Sequence, residues 1–106
     1  MTLDWREHPD ARDEFLDAHE RYSAIDHGKL GDEFADAAEA AAELILQWPD
    51  AASPFRGRQR EPIVRSWHLG KFPYNLVYVV GGDGIFVLAY AHESRRPGYW
   101  TQRLAE

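Results

Sequence analysis

The chain has 106 residues, 44% of them apolar, no cysteine and a net charge of -6. That length holds one domain with one core, and that composition excludes disorder, a disulfide framework and a thiolate metal site. No apolar run is long enough to span a bilayer, and the first residues lack the basic-then-apolar layout of a signal peptide, so the expectation is a soluble cytoplasmic protein. The charge is divided unevenly. Residues 1–53 carry 14 Asp/Glu against 4 Lys/Arg, and residues 54–106 carry 4 against 8. An anionic partner would therefore meet the second half and be repelled by the first, unless the acidic residues only solvate outer helix faces.

Thr2 to Arg6 reads as a short first strand with Leu3 and Trp5 on one face. His8-Pro9 opens a helix, since proline suits the first helical position and Asp10, Asp13 and Glu14 suit the positive end of the helix dipole. Ala11, Phe15, Ala18, Tyr22 and Ile25 recur at helical spacing, which predicts a helix over 9–26 ending at Asp26-His27-Gly28. Leu30, Phe34, Ala37, Ala38, Ala41, Leu44, Ile45 and Trp48 form the stripe of a second helix, closed by Trp48-Pro49. The short link between the two makes them an antiparallel hairpin.

Residues 49–62 hold three prolines and three arginines and read as a long, mobile loop. Three strands follow, over 63–69, 74–80 and 85–91, the last two joined by the turn Gly81-Gly82-Asp83-Gly84. The run from Ile85 to Ala91 is nearly all apolar and marks the most buried strand. Residues 97–104 have room for one or two helical turns. The order β-α-α-β-β-β predicts a two-layer α+β domain over 1–106, an antiparallel sheet packed by a helical hairpin with a short C-terminal tail. Phe15, Tyr22, Phe34, Leu44, Val77, Val87 and Ala89 are its expected core.

The most buried strand runs into His92-Glu93-Ser94-Arg95-Arg96-Pro97-Gly98-Tyr99-Trp100. A rigid strand that ends in cations, an imidazole, a carboxylate and two aromatics presents polar groups at its rim. With this order of elements, the chain resembles the RelE/ParE superfamily of toxins from bacterial type II toxin–antitoxin (plasmid stabilisation) systems. The residues that carry the resemblance are His8-Pro9-Asp10-Ala11, Trp48-Pro49, Val64-Arg65, Phe72-Pro73-Tyr74, Tyr78 and the final H-x-x-R-x-P-x-Y-W pattern. They span nearly the whole chain.

The resemblance implies a growth-inhibiting toxin neutralised by a cognate antitoxin, with no cofactor, no metal and no membrane partner. Its two branches imply different targets: mRNA in the ribosomal A site for RelE-like members, DNA gyrase for ParE-like ones. RNA cleavage by a 2′-hydroxyl needs an acid, a base and cations for the phosphorane charge. On the RelE-like reading His92, Glu93, Arg65, Arg95 and Tyr99 are the catalytic candidates. Each also has a structural reading: His92 as a strand-end cap, Arg65 as an exposed strand residue, Tyr99 and Trp100 as anchors of the tail. Ribosome-binding ribonucleases are generally basic, whereas this chain is acidic with two lysines. That favours the ParE-like branch, or a member with weak or lost toxicity, and leaves a non-catalytic binding module of the same fold as a further alternative. Arg56, Arg58, Arg60, Arg65, Arg95, Arg96, Arg103 and Trp100 are the expected contacts for an acidic antitoxin segment. No other constellation stands out: the five histidines lack metal-ligand spacing, and the glycine-rich turn lacks the helix a phosphate loop needs.

Overall fold

Proline at the second residue of His8-Pro9 starts a helix as its fixed φ requires. In the computed structural model, which describes residues 3–57 and 62–105, helix α1 spans Pro9–Ser23. His8 is buried; its Nδ1 accepts from the Asp10 N–H at 3.0 Å, and its own N–H donates to the Val87 carbonyl at 2.9 Å. One residue thus caps the helix and pins its start to the sheet. The helix stops three residues short of the expected end. Asp26 accepts from the Leu30 N–H at 2.8 Å, so its carboxylate serves the start of the next helix instead of the end of the first.

Helix α2 spans Lys29–Gln47. The two helices approach closely at Gly31, where an added Cβ would lie 1.9 Å from Ser23 Oγ and 3.1 Å from Ser23 Cα. Phe34, Ala38, Ala41 and Ile45 are buried, at steps of four, three and four. Leu44 was an expected core residue and is 42% exposed. Leu44 and Ile45 lie about 100° apart on a helix, and the stripe through Phe34 turns Ile45 inward. Trp48, also placed in the stripe, has φ -134° and ψ 71° and lies outside the helix, exposed.

The sheet has five strands: β1 Asp4–Glu7, β2 Ser53–Pro54, β3 Val64–His68, β4 Tyr74–Val80 and β5 Gly84–His92. Their spatial order is β1-β5-β4-β3-β2. The expected antiparallel sheet holds for β2 to β5, but β1 runs parallel to β5, so the sheet is mixed. A helical hairpin has two antiparallel arms and returns the chain to the side it left, which lets the first strand lie along the last. Gly84 permits this contact, since a Cβ there would meet the Asp4 carbonyl oxygen at 2.3 Å. The loop over 49–62, expected to be mobile, is anchored in its described part. Ser53 and Pro54 pair with β3, Phe55–Gly57 forms a 3-10 turn, and the Tyr78 hydroxyl donates to the Pro49 carbonyl at 2.8 Å.

Both faces of the sheet are covered. Tyr74, Leu76, Tyr78, Ile85, Val87 and Tyr90 face the helices. Val64, Val77, Leu88 and Ala89 face a second core sealed by Trp100 from the tail and by Phe55. The switch of face inside β5 is a bulge: Val77 pairs with Ala89 and Tyr78 with Val87, which leaves Leu88 unpaired and puts Leu88 and Ala89 on one side. Phe34, Val77, Val87 and Ala89 are buried as expected, while Phe15 and Tyr22 are half-buried against the same core.

Candidate functional site

The site grows from the C-terminal end of β5. Strand β1 covers β5 only from Gly84 to Val87. Beyond that point the edge of β5 is satisfied by side chains. The Leu88 carbonyl accepts from an Arg103 Nη1–H at 2.8 Å, and the Tyr90 N–H donates to Glu14 Oε1 at 3.1 Å. Arg103 and Glu14 bind each other through two N–H···O contacts of 3.1 Å, and the Tyr99 hydroxyl donates to Glu14 Oε2 at 2.7 Å. One carboxylate from α1 therefore ties together β5, the aromatic of the tail and the C-terminal 3-10 turn Thr101–Ala105. Burial favours the neutral form of Arg103, but the bonds to Glu14 outweigh it and hold the guanidinium charged. Burial, then the bond to Glu14, pushes the Tyr99 phenol up.

Past this lock the chain turns over the rim. His92 Nδ1 accepts from the Ser94 N–H at 2.9 Å, which places the proton of the neutral ring on Nε2. The His92 ring stands edge-on to Tyr74, with centroids 4.9 Å apart. The Arg95 guanidinium lies 3.9 Å from the centroid of the Tyr99 ring. On the helix side these groups line a cleft of about 530 Å³, whose opposite wall is α1 with Asp17 and Arg21. Arg21 donates an Nη2–H to the Tyr74 hydroxyl. On the other face of the sheet, His92 and Arg95 also border a cleft of about 300 Å³ with Ser66, Asn75, Glu93 and Arg96.

The residues singled out from the sequence separate into groups. His92, Arg95 and Tyr99 meet at the larger cleft. Glu93 faces the other side, where its Oε2 lies 3.7 Å from His68 Nδ1. Arg65 is not an exposed strand residue: its Nη1–H groups donate to the carbonyls of Ala52 at 2.7 Å and Asp50 at 3.2 Å, and its side chain is 15% exposed. Arg103 is likewise occupied within the fold, and Trp100 is a core residue, 1% exposed against the Phe55 ring. Arg56, at φ +53°, and Arg95 and Arg96 are exposed. Arg58 and Arg60 lie outside the described residues. Glu14, Arg21, Tyr74 and His68 were not among the expected site residues, although Glu14 was read as a helix-dipole acid and Tyr74 as part of the family pattern. Glu14 and Arg21 lie one and three turns along α1 from its start, beside Phe15 and Tyr22, with Glu14 half-buried and Arg21 exposed; helix periodicity carried their place next to the stripe, but their charge concealed it. Among the described residues no cluster of three or more His, Asp or Glu is placed to hold a metal ion, and no helix is long and apolar enough to cross a membrane.

A solved chain described as "Chromosomal ParDE TA system from P. aeruginosa" matches this architecture with a TM-score of 0.69. The match covers 86% of this chain and 96% of that one, at 12% sequence identity. The fold is RelE/ParE-like. No protein-family model matches the sequence, and no curated relative is similar to it. The likeness therefore lies in the backbone path, the helical hairpin on a sheet closed by a tail, and not in a detectable run of shared residues.

Proposed function

We propose that this chain is the toxin of a type II toxin–antitoxin pair, restrained by a cognate antitoxin and acting ParE-like on DNA gyrase without a catalytic step. The observation that supports the class is the fold match over nearly the full length of a chain from a ParDE system. The non-catalytic branch is favoured by what the catalytic candidates do. Arg65 is spent on the Asp50 and Ala52 carbonyls, the Tyr99 hydroxyl on Glu14, and His92 Nδ1 on the Ser94 N–H, while Glu93 faces the other side of the sheet. Of this set only His92, through Nε2–H, and Arg95 are left to a ligand in the larger cleft, which favours a reading without the paired acid and base that general acid–base chemistry brings to one substrate.

The antitoxin segment that fits is acidic and partly apolar. Arg56, Arg95 and Arg96 remain exposed for its carboxylates, whereas Arg65 and Arg103 already have partners in the fold. The test is controlled expression in cells. Growth arrest with inhibited supercoiling by purified gyrase and intact transcripts is the expected outcome. Codon-periodic transcript cuts that vanish in His92→Ala would replace this reading with the ribonuclease one. Normal growth without an antitoxin would leave the binding module.

A further inference from the structure

We propose that the cleft between α1 and the β5 end is a binding site for a small aromatic oxyanion, a flat ring carrying a phosphate or carboxylate. This site does not rest on the toxin reading. The cleft of about 530 Å³ falls within the range of small-molecule sites. Its aromatic lining is four tyrosines, Tyr22, Tyr74, Tyr90 and Tyr99. Their polar ends are largely committed: Tyr90 OH donates to Glu7 Oε2 at 2.6 Å, Tyr99 OH to Glu14 Oε2 at 2.7 Å, and Tyr74 OH accepts from Arg21. Tyr74 and Tyr90 are themselves buried, so the ring surface left to a ligand is that of the half-buried Tyr22 and Tyr99, and ring surface suits a flat apolar group.

The donors stand around this lining. Arg21 comes from α1 and Arg95 from the loop after β5, so the two guanidinium groups reach the cleft from different elements. Each is held by a tyrosine, Arg21 through the Tyr74 hydroxyl and Arg95 over the Tyr99 ring at 3.9 Å. A guanidinium has five N–H donors, and one bond to Tyr74 leaves Arg21 several for an oxyanion. Because His92 Nδ1 accepts from Ser94 N–H, its Nε2–H is a further donor at the cleft.

The carboxylates at the cleft do not cancel this. Glu14 is neutralised by two contacts from Arg103, which leaves Asp17 against Arg21 and Arg95. The local balance admits one anionic group. A long polyanion would run onto the acidic exteriors of the helices, where Asp13, Asp17 and Glu20 are exposed. A compact anion with its own ring is the ligand that satisfies both the cations and the tyrosines.

Phenyl phosphate is the probe, titrated by calorimetry and by NMR of the tyrosine ring protons on the full chain. The expected result is saturable binding at about 1 mM or tighter, with shifts centred on Tyr74 and Tyr99. Inorganic phosphate and benzyl alcohol, which carry the charge and the ring separately, should each bind about tenfold more weakly. Benzoate binding as well as phenyl phosphate identifies a carboxylate as the anion; phenyl phosphate binding better identifies a phosphate. Arg21→Gln lies on an exposed helix position and should weaken phenyl phosphate about tenfold or more, while Lys71→Gln, a cation outside the cleft, should not. No saturable binding at about 10 mM, shifts centred elsewhere, or equal weakening by the two variants would overturn the proposal.

Discussion

Arg65 and Arg103 carry the same charge as Arg95 and Arg96 and do a different job. Each donates to backbone carbonyls at places where the sheet needs a donor, Arg103 to Leu88 and Arg65 to Ala52. Nothing in the sequence separates these arginines from the exposed ones, because a carbonyl left open by a bulge or a loop has no residue type of its own. Glu14→Ala should therefore act as a core change. It leaves the Arg103 guanidinium and the Tyr90 N–H without their acceptor, and a loss of about 1–3 kcal/mol in urea unfolding is expected. Four tyrosines make a second residue-scale prediction. Burial raises the phenols of Tyr74, Tyr78, Tyr90 and Tyr99, with Tyr78 pushed up to about 12. Above the ordinary phenol value the unfolded chain releases protons that the folded chain keeps, so stability falls as pH rises. The midpoint of urea unfolding should hold steady below about pH 9 and drop steadily between about pH 10 and 12, with Tyr78→Phe reducing the drop. A midpoint that stays flat to pH 11 would remove burial as the cause.

Elements were more legible than their edges. Helical spacing found both helices, because each buries one stripe, and strand formers found β3, β4 and β5 to within a residue or two, because β4 and β5 are apolar on both faces. The parallel pairing of β1, the two-residue β2 and the bulge at Leu88 left no such pattern; they are set by where other elements end. Two substitutions test the elements separately. The Phe34 ring has the rings of Phe15, Tyr22, Phe72 and Tyr74 within 5.5 Å between centroids, and it is fully buried. Phe34→Ala should cost about 3–5 kcal/mol in global stability, read from the denaturation midpoint. Gly84→Ala should act locally first. Its Cβ would meet Asp4 backbone atoms at 2.3 and 2.8 Å, and backbone cannot rotate away as a side chain does. Amide exchange of residues 4–7 should quicken well beyond that of β4, with a global loss of about 1–3 kcal/mol. Uniform quickening across the sheet would mean that β1 and β5 unfold as one unit and not as a detachable pair.

At the scale of the molecule, charge is sorted by layer. Asp13, Asp17, Glu20, Asp32, Asp36, Glu39 and Glu43 are exposed on the two helices, while Arg56 is exposed in the turn after β2 and Arg95 and Arg96 in the loop after β5. This sorting is readable as an imbalance between the halves of the chain, although fewer arginines are free to act than their number suggests, since Arg65 and Arg103 are occupied within the fold. On the proposed toxin reading, an acidic antitoxin segment is repelled by the helix layer and drawn to the exposed arginines, which raises the rate of productive encounter more than the final affinity. Association should therefore be fastest at low salt and slow as screening shortens from about 30 Å at 0.01 M to about 8 Å at 0.15 M. Replacing Arg95 and Arg96 together by Glu should slow association about tenfold or more at low salt and flatten its salt dependence, with a smaller effect on dissociation. Arg65→Gln should leave the association rate unchanged and lower the denaturation midpoint instead, since that guanidinium is already paired inside the fold. Stopped-flow mixing with the cognate antitoxin across salt concentrations separates the two. An Arg95/Arg96 double mutant that associates at the wild-type rate at every salt concentration would move the docking surface away from the rim. The exposed Leu44 and Trp48 at the end of α2 would then be the next place to look.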